Sequence, residues 1–265
     1  MENKIKENNT KLNKEMDKIY KSLENEKNSK NDEKINFLSK ISFEKKNGKT
    51  KTGSKKLDVV TKEFIPGILT EIYGSSNTGK TQIAFQIAVN TAKIGKNIIF
   101  IDTTGNFRPE RIADMAIAQN LEQDSIMEKI FVIKCLSIEH QINIINIINN
   151  FLKTKKIDLI VIDEISRNFL QGDERSGIIL KSLLNLHLHK LSHMAYDLDI
   201  PILVINTTRT KINKEHKIET TTLNSIINRI IHFKIHLKNI NDERYAENEY
   251  GNKCIFKITK EGIKD

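Results

Sequence analysis

Gly74-Ser75-Ser76-Asn77-Thr78-Gly79-Lys80-Thr81 stands between an apolar run at 68–73 and a segment of helical periodicity at 81–93. The octet satisfies G-x-x-x-x-G-K-[ST] at every position. A strand, a glycine-rich turn and a helix in that order make a cradle for phosphate. Gly74 and Gly79 let the backbone wrap closely, and the N–H groups of Ser75, Ser76, Asn77 and Thr78 face the anion together with the positive end of the helix. In such a cradle Lys80 reaches the β- and γ-phosphates of ATP, and the Thr81 hydroxyl holds Mg²⁺.

Strands are expected at 97–102, 129–136, 158–165 and 201–206, and helices at 108–120, 138–152 and 178–198. Leu159-Ile160-Val161-Ile162 is apolar on both faces, as a parallel strand covered by helices must be. Alternating strands and helices read as an α/β doubly wound domain. After Asn206 two alternating segments, 229–238 and 253–259, are expected to extend the sheet antiparallel, joined by a polar connection. Asp163 ends the most apolar strand at the sheet edge where ligands bind, so it is the second Mg²⁺-side residue. The strands near 97–102 and 129–136 lie between the two motif strands in the chain. That arrangement points to P-loop ATPases with an extra strand between the motifs.

The chain has 265 residues and a formal net charge of +9. Residues 1–51 hold 14 lysines against nine acidic residues and few apolar ones. Such a segment cannot bury enough apolar area to offset its ordering entropy, so 1–51 reads as a charged, largely disordered tail. Within it Leu12, Met16, Ile19 and Leu23 share one helical face, either a transient helix or an arm for a partner or nucleic acid. Two cysteines, Cys135 and Cys254, form neither a disulfide framework nor a zinc pattern, which fits a reduced, cytoplasmic setting. No run is long enough for a membrane span and no secretory leader is evident.

Several stretches resemble RecA/RadA-type recombinases. Residues 52–58 are similar to the opening segment of that core, and 67–74 with Thr78-Gly79-Lys80-Thr81-Gln82 to its strand and phosphate loop. Asp102-Thr103-Thr104-Gly105-Asn106-Phe107-Arg108-Pro109-Glu110-Arg111 resembles the next strand end, and 256–263 the last strand. The likeness covers 52–265 and is greatest to the short archaeal paralogue RadB. It implies a RecA-like P-loop ATPase core, ATP with Mg²⁺, DNA repair and homologous recombination, DNA (single-stranded or branched) as partner, and a recombinase partner or homo-oligomer.

Two departures bear on catalysis. The resemblance places Thr104 where the family carries the glutamate that orients water, and Thr207 where it carries a γ-phosphate-sensing glutamine. Threonine cannot take a proton at neutral pH, and loss of a general base costs on the order of 10²–10⁴ in rate. Glu164 follows Asp163 and is the alternative base; a continuing strand would turn it to the opposite face. The expectation is ATP binding with weak hydrolysis and an accessory role to a main recombinase. The alternative is a regulatory or scaffold protein on the same fold without a DNA function.

The resemblance puts DNA contacts on two loops. One, 167–177, carries Arg167 and Arg175; the other, 208–222, carries Arg209, Lys211, Lys214, His216 and Lys217. Phosphate contacts from such residues weaken with salt. Phe85 opens a Phe-x-x-Ala sequence used for docking in the family, but its place in the helix after the phosphate loop reads as core. Phe37 and Phe43 are better placed to dock on a neighbour. His189 and His193 are one helical turn apart and His187 lies on another side, which leaves a metal site short of ligands.

Overall fold

Strand β1 (Leu69–Gly74) feeds the phosphate loop, and helix α2 (Lys80–Lys93) leaves it. The structure, a computed structural model, describes residues 50–170, 174–213 and 216–265. The expected tail, with the Leu12–Leu23 face, Phe37 and Phe43, lies outside the described residues except for its last two positions. Ahead of β1 comes α1 (Lys55–Thr61), with Ser54 as its N-cap. After α2 follow β2 (Ile98–Asp102), α3 (Pro109–Ile117), α4 (Gln123–Met127), β3 (Ile130–Lys134), α5 (Ile138–Leu152) and β4 (Leu159–Asp163). A 3-10 turn (Arg167–Leu170) leads to α6 (Glu174–Leu198), then β5 (Ile202–Asn213), β6 (His216–Thr221) and α7 (Asn224–Ile227). The chain closes through β7 (Phe233–Ile240), β8 (Glu243–Asn248), β9 (Lys253–Thr259) and β10 (Gly262–Lys264).

These strands form one sheet in the order β10-β9-β8-β7-β1-β5-β4-β2-β3, with β6 attached to β5. From β7 to β3 neighbours run parallel; from β7 to β10 they run antiparallel. The expected α/β doubly wound architecture is therefore observed, with antiparallel strands closing one end. The chain passes from β1 over two strand positions to β2, reaches the edge at β3, then returns through β4 and β5 to β1. This reversal opens a crevice at the C-terminal ends of β1, β5 and β4, where ligands bind in such sheets.

Strands β2 and β4 are buried at every position. Helices α5 and α6 cover one face; Ile144, Ile148, Leu184, Leu188 and Leu191 pack there against Ile99, Ile101, Ile160 and Ile162. Each such aliphatic side chain contributes about 1.5–3 kcal/mol on burial. On the other face Phe85 of α2 is fully buried and meets Phe100 and Phe107, each with ring centroids 5.4 Å away, so it is core.

The structure corrects several expectations. The extra strand between the motif strands that marks this ATPase branch is present in space, but it is β5, which comes after both in sequence; the strands inserted in the chain, β2 and β3, lie outside them. The stretch 208–222 is mostly not a loop: β5 continues past Asn206 and pairs antiparallel with β6 from Thr208↔Thr221 to Asn213↔His216. The polar connection between the last two expected strands contains β8, whose sequence Glu-Arg-Tyr-Ala-Glu-Asn has only Ala246 and Asn248 buried. A strand so poor in apolar residues carries no alternation to read. Residues 229–232 belong to the turn after α7, and β7 starts at Phe233. Helix α4 buries one residue, Ile126, and is too short to show a period. Cys135 falls just past β3, where it is buried, and desolvation lifts its thiol to about 11.

Candidate nucleotide site

Gly74 cannot be another residue. A Cβ there would lie 2.3 Å from the Leu237 carbonyl oxygen of β7, so the loop leaves the sheet pressed against its neighbour strand. At Gly79, φ is +101° and a Cβ would meet Ile258 Cδ1 at 2.6 Å. Only glycine allows this turn to sit so close beneath β9. Gly79 is also the N-cap of α2 and offers no side chain to its first turn. The leading N–H groups of that helix therefore remain for an anion at the loop.

Lys80 is buried, with Nζ donating to the carbonyls of Gly74 at 2.8 Å and Ser75 at 2.7 Å. The Thr78 hydroxyl donates to the Ser75 carbonyl at 2.9 Å and closes the loop. The Thr81 hydroxyl donates to Asp163 Oδ2 at 2.6 Å. That contact brings together the two residues expected on the Mg²⁺ side, although 82 positions separate them. Burial pushes the Asp163 carboxyl up to about 6; the Thr81 hydroxyl and Lys80 oppose this, and Glu164 and Asp102 reinforce it. A buried carboxylate short of positive charge, facing a hydroxyl, is a donor set suited to a hard divalent cation.

Glu164 lies beyond the end of β4, so strand alternation no longer fixes its direction. It turns into the same cleft, and its Oε1 accepts the Thr207 N–H at 3.1 Å. Its backbone is held by Thr103, whose hydroxyl donates to the Glu164 carbonyl at 2.7 Å. Thr104 also lines the cleft, with its hydroxyl donating to Asp102 Oδ1 at 2.9 Å. Burial alone would raise the Asp102 carboxyl. The N–H groups of Phe107, Thr104 and Gly105 and the Thr104 hydroxyl outweigh that and hold it below the usual range. Asp102 thus shapes the 103–107 turn rather than acting on a ligand.

The cleft has a volume of about 1020 Å³. Of the sequence-derived candidates it is lined by Ser76, Asn77, Gly79, Lys80, Thr81, Thr104, Asp163, Glu164 and Thr207. Arg167 reaches its rim from the 3-10 turn. Gly74, Ser75 and Thr78 form the loop behind that lining. The side chains of Arg175, Arg209, Lys211, Lys214 and Lys217 lie outside the described residues. Sequence reasoning missed Arg111 and Arg244 on the wall. Arg111 donates through Nε to Gln82 at 2.7 Å and through its Nη groups to the Thr259 and Lys260 carbonyls. Arg244 belongs to β8, the unread strand.

Behind the loop, Glu71 of β1 pairs in register with Lys234 of β7; Oε2 and Nζ are 3.0 Å apart. Asn206 Nδ2 donates to Glu71 Oε1 at 2.9 Å and to the Thr222 carbonyl at 3.2 Å. Burial raises the Glu71 carboxyl, while Lys234 and Asn206 counter it. Asn206 also accepts from Ser166 at 2.7 Å. The base of the β5–β6 ribbon is therefore fastened to β1 and to the turn that follows β4. His187 of α6 is buried beside Phe169, its Nε2 without a hydrogen-bond partner among the described residues, and desolvation with Lys190 lowers it to about 4. No cluster of metal-ligating side chains surrounds the histidines among the described residues.

A twisted, mostly parallel sheet with a glycine-rich loop after its central strand defines the class of P-loop proteins. Within that class the Rad51 family profile matches residues 45–265, most of the chain, so the chain belongs to that family and has its RecA-like core. It is 32% identical over 171 residues to the DNA repair and recombination protein RadA of Aeropyrum pernix, covering 60% of this chain and 52% of that protein. It is also 32% identical over 186 residues to the DNA repair and recombination protein RadA of Metallosphaera sedula, covering 65% and 57%. The chain spans about half the length of the curated relatives it matches. Among the described residues no helix is long and apolar enough to cross a membrane.

Proposed function

We propose that the chain binds ATP with Mg²⁺ at the 74–81 loop and serves DNA repair and homologous recombination as a RadB-like accessory to a main recombinase. The convergence of Lys80, the Thr81–Asp163 pair and Glu164 in one cleft carries this reading, because these residues meet only through the fold. Lys80 gives up the loop carbonyls it now holds and takes phosphate oxygens. The first turn of α2 donates its N–H groups to the same tail. Mg²⁺ held by Thr81 and Asp163 would neutralise charge on the phosphates. Glu164, fixed through the Thr207 N–H, accepts the proton of an attacking water, a task Thr104 cannot perform. With the Thr104 position lacking a carboxylate, turnover is slow and ATP acts chiefly as a conformational ligand.

DNA binds at the basic β5–β6 ribbon and the Arg167 turn, which flank the cleft. Glu164 and Thr207 connect the nucleotide to that ribbon. The test is ATP turnover and ATP affinity with and without single-stranded DNA, with Lys80→Ala as control. Lys80→Ala is expected to weaken ATP about a hundredfold, since it removes charge-assisted bonds to two phosphates. Undiminished ATP affinity in that variant overturns the site. Absence of DNA binding at low salt leaves a nucleotide-binding scaffold without a DNA role.

A further inference from the structure

We infer that Arg244 supplies a second cation to the nucleotide's phosphate tail, from the antiparallel end of the sheet. The inference rests on the nucleotide-binding reading of the 74–81 loop and assigns that site a residue outside its motifs. Arg244 of β8 stands opposite Phe256 of β9. Residues directly opposite in an antiparallel pair share a face of the sheet. The Phe256 ring lies 3.5 Å from the place a Cβ would take on Gly79, and Ile258 lies closer still. Arg244 therefore projects from the face that presses on the second glycine of the phosphate loop. It lines the same cleft as Ser76, Asn77 and Lys80.

The guanidinium is not satisfied there. Its Nε is buried and has no hydrogen-bond partner among the described residues. The carboxylates nearest in the strand are engaged elsewhere. Glu243 accepts the Tyr245 hydroxyl at 2.6 Å, and Glu247 is held by Lys238 at 2.9 Å and Lys253 at 3.1 Å. A buried charged donor without an acceptor is costly, so an acceptor from a ligand is favoured strongly at that point. A guanidinium fork matches phosphate oxygens and stays charged at any working pH.

The test compares Arg244→Met, which keeps the apolar stem, with Arg244→Lys, which keeps the charge, by calorimetric titration of the full chain with ATP and AMP. Arg244→Met is expected to weaken ATP about tenfold or more, the worth of one charge-assisted bond, and Arg244→Lys to recover most of it. The loss should be larger for ATP than for AMP. Equal losses would put Arg244 on the nucleoside or its first phosphate and overturn the assignment to the tail beyond it. Arg244→Met binding ATP within twofold of the unaltered chain overturns the inference; a simultaneous loss in Lys80→Ala shows that the loop reading survives. If Lys80→Ala binds normally too, both fall. Should Arg244→Met not fold, the Arg244 Nε–H resonance of the unaltered chain decides: ATP must shift it and slow its exchange with water, and an unmoved resonance refutes the contact.

Discussion

The two ends of the sheet obey different rules. Strands β2 and β4 of the parallel end are buried throughout, whereas β7 alternates buried with half-buried residues and β8 buries only two of six. Helices cover both faces of the parallel end, so its strands are apolar runs. The antiparallel end carries polar side chains that work: Lys234, Lys238, Arg244 and Glu247. The candidate nucleotide cleft sits where the ends meet, with the 74–81 loop and Asp163 from one and Arg244 and Ile258 from the other. An efficient core and a charged wall are thus supplied by separate parts of one sheet.

The sharpest way to break this division is through Glu164. If chemistry belongs wholly to the parallel end, Glu164→Gln lowers residual ATP turnover by about 10²–10⁴ and leaves ATP affinity within a few-fold. In the same assay Thr104→Glu should raise turnover above that of the unaltered chain. Turnover indifferent to Glu164 would remove it as the base.

A second experiment cuts the seam. Lys234→Met strips Glu71 of its ion-pair partner in a buried site and is expected to cost about 3–5 kcal/mol in denaturant unfolding. Glu71→Leu combined with Lys234→Met should restore most of that, because no unpaired charge remains. A single variant as stable as the parent would mean the two ends are held without the pair.

The smallest effect concerns the helix layer over the parallel end. His187 has a folded value of about 4 against an ordinary 6.5. Below 6.5 the unfolded chain takes a proton that the folded chain refuses, so stability falls as pH drops from 6.5 towards 4. The loss approaches about 3 kcal/mol near pH 4, at roughly 1.4 kcal/mol per pH unit. His187→Leu should flatten the melting-temperature profile over that window. An equally steep profile would assign the acid loss to other groups.

These differences also explain what could be read from the sequence. Helix α5 was legible to the residue, since a long amphipathic helix repeats its signal. Strand β4 and Asp163 were legible because a dry strand has no polar positions except its end. Strand β8 was not, because its stability comes from ladder bonds to β7 and β9 rather than from side chains of its own. The ribbon of β5 and β6 read as a loop for the same reason: Lys-, His- and Glu-bearing residues flank its turn. Glu164 was ambiguous in sequence, and the end of β4 at Asp163 decided its direction.

The sequence alone determined the glycine-rich turn at 74–81, because its close approach to neighbouring strands demands glycine at 74 and 79 and the motif is local to eight residues. It also determined the α/β class, through the periods of its longer elements. Only the tertiary structure decided that Thr81 would touch Asp163, that Glu164 would enter the cleft, and that Arg244 would stand over the loop. Those meetings depend on strand order and register, and no local pattern encodes which distant strand becomes a neighbour.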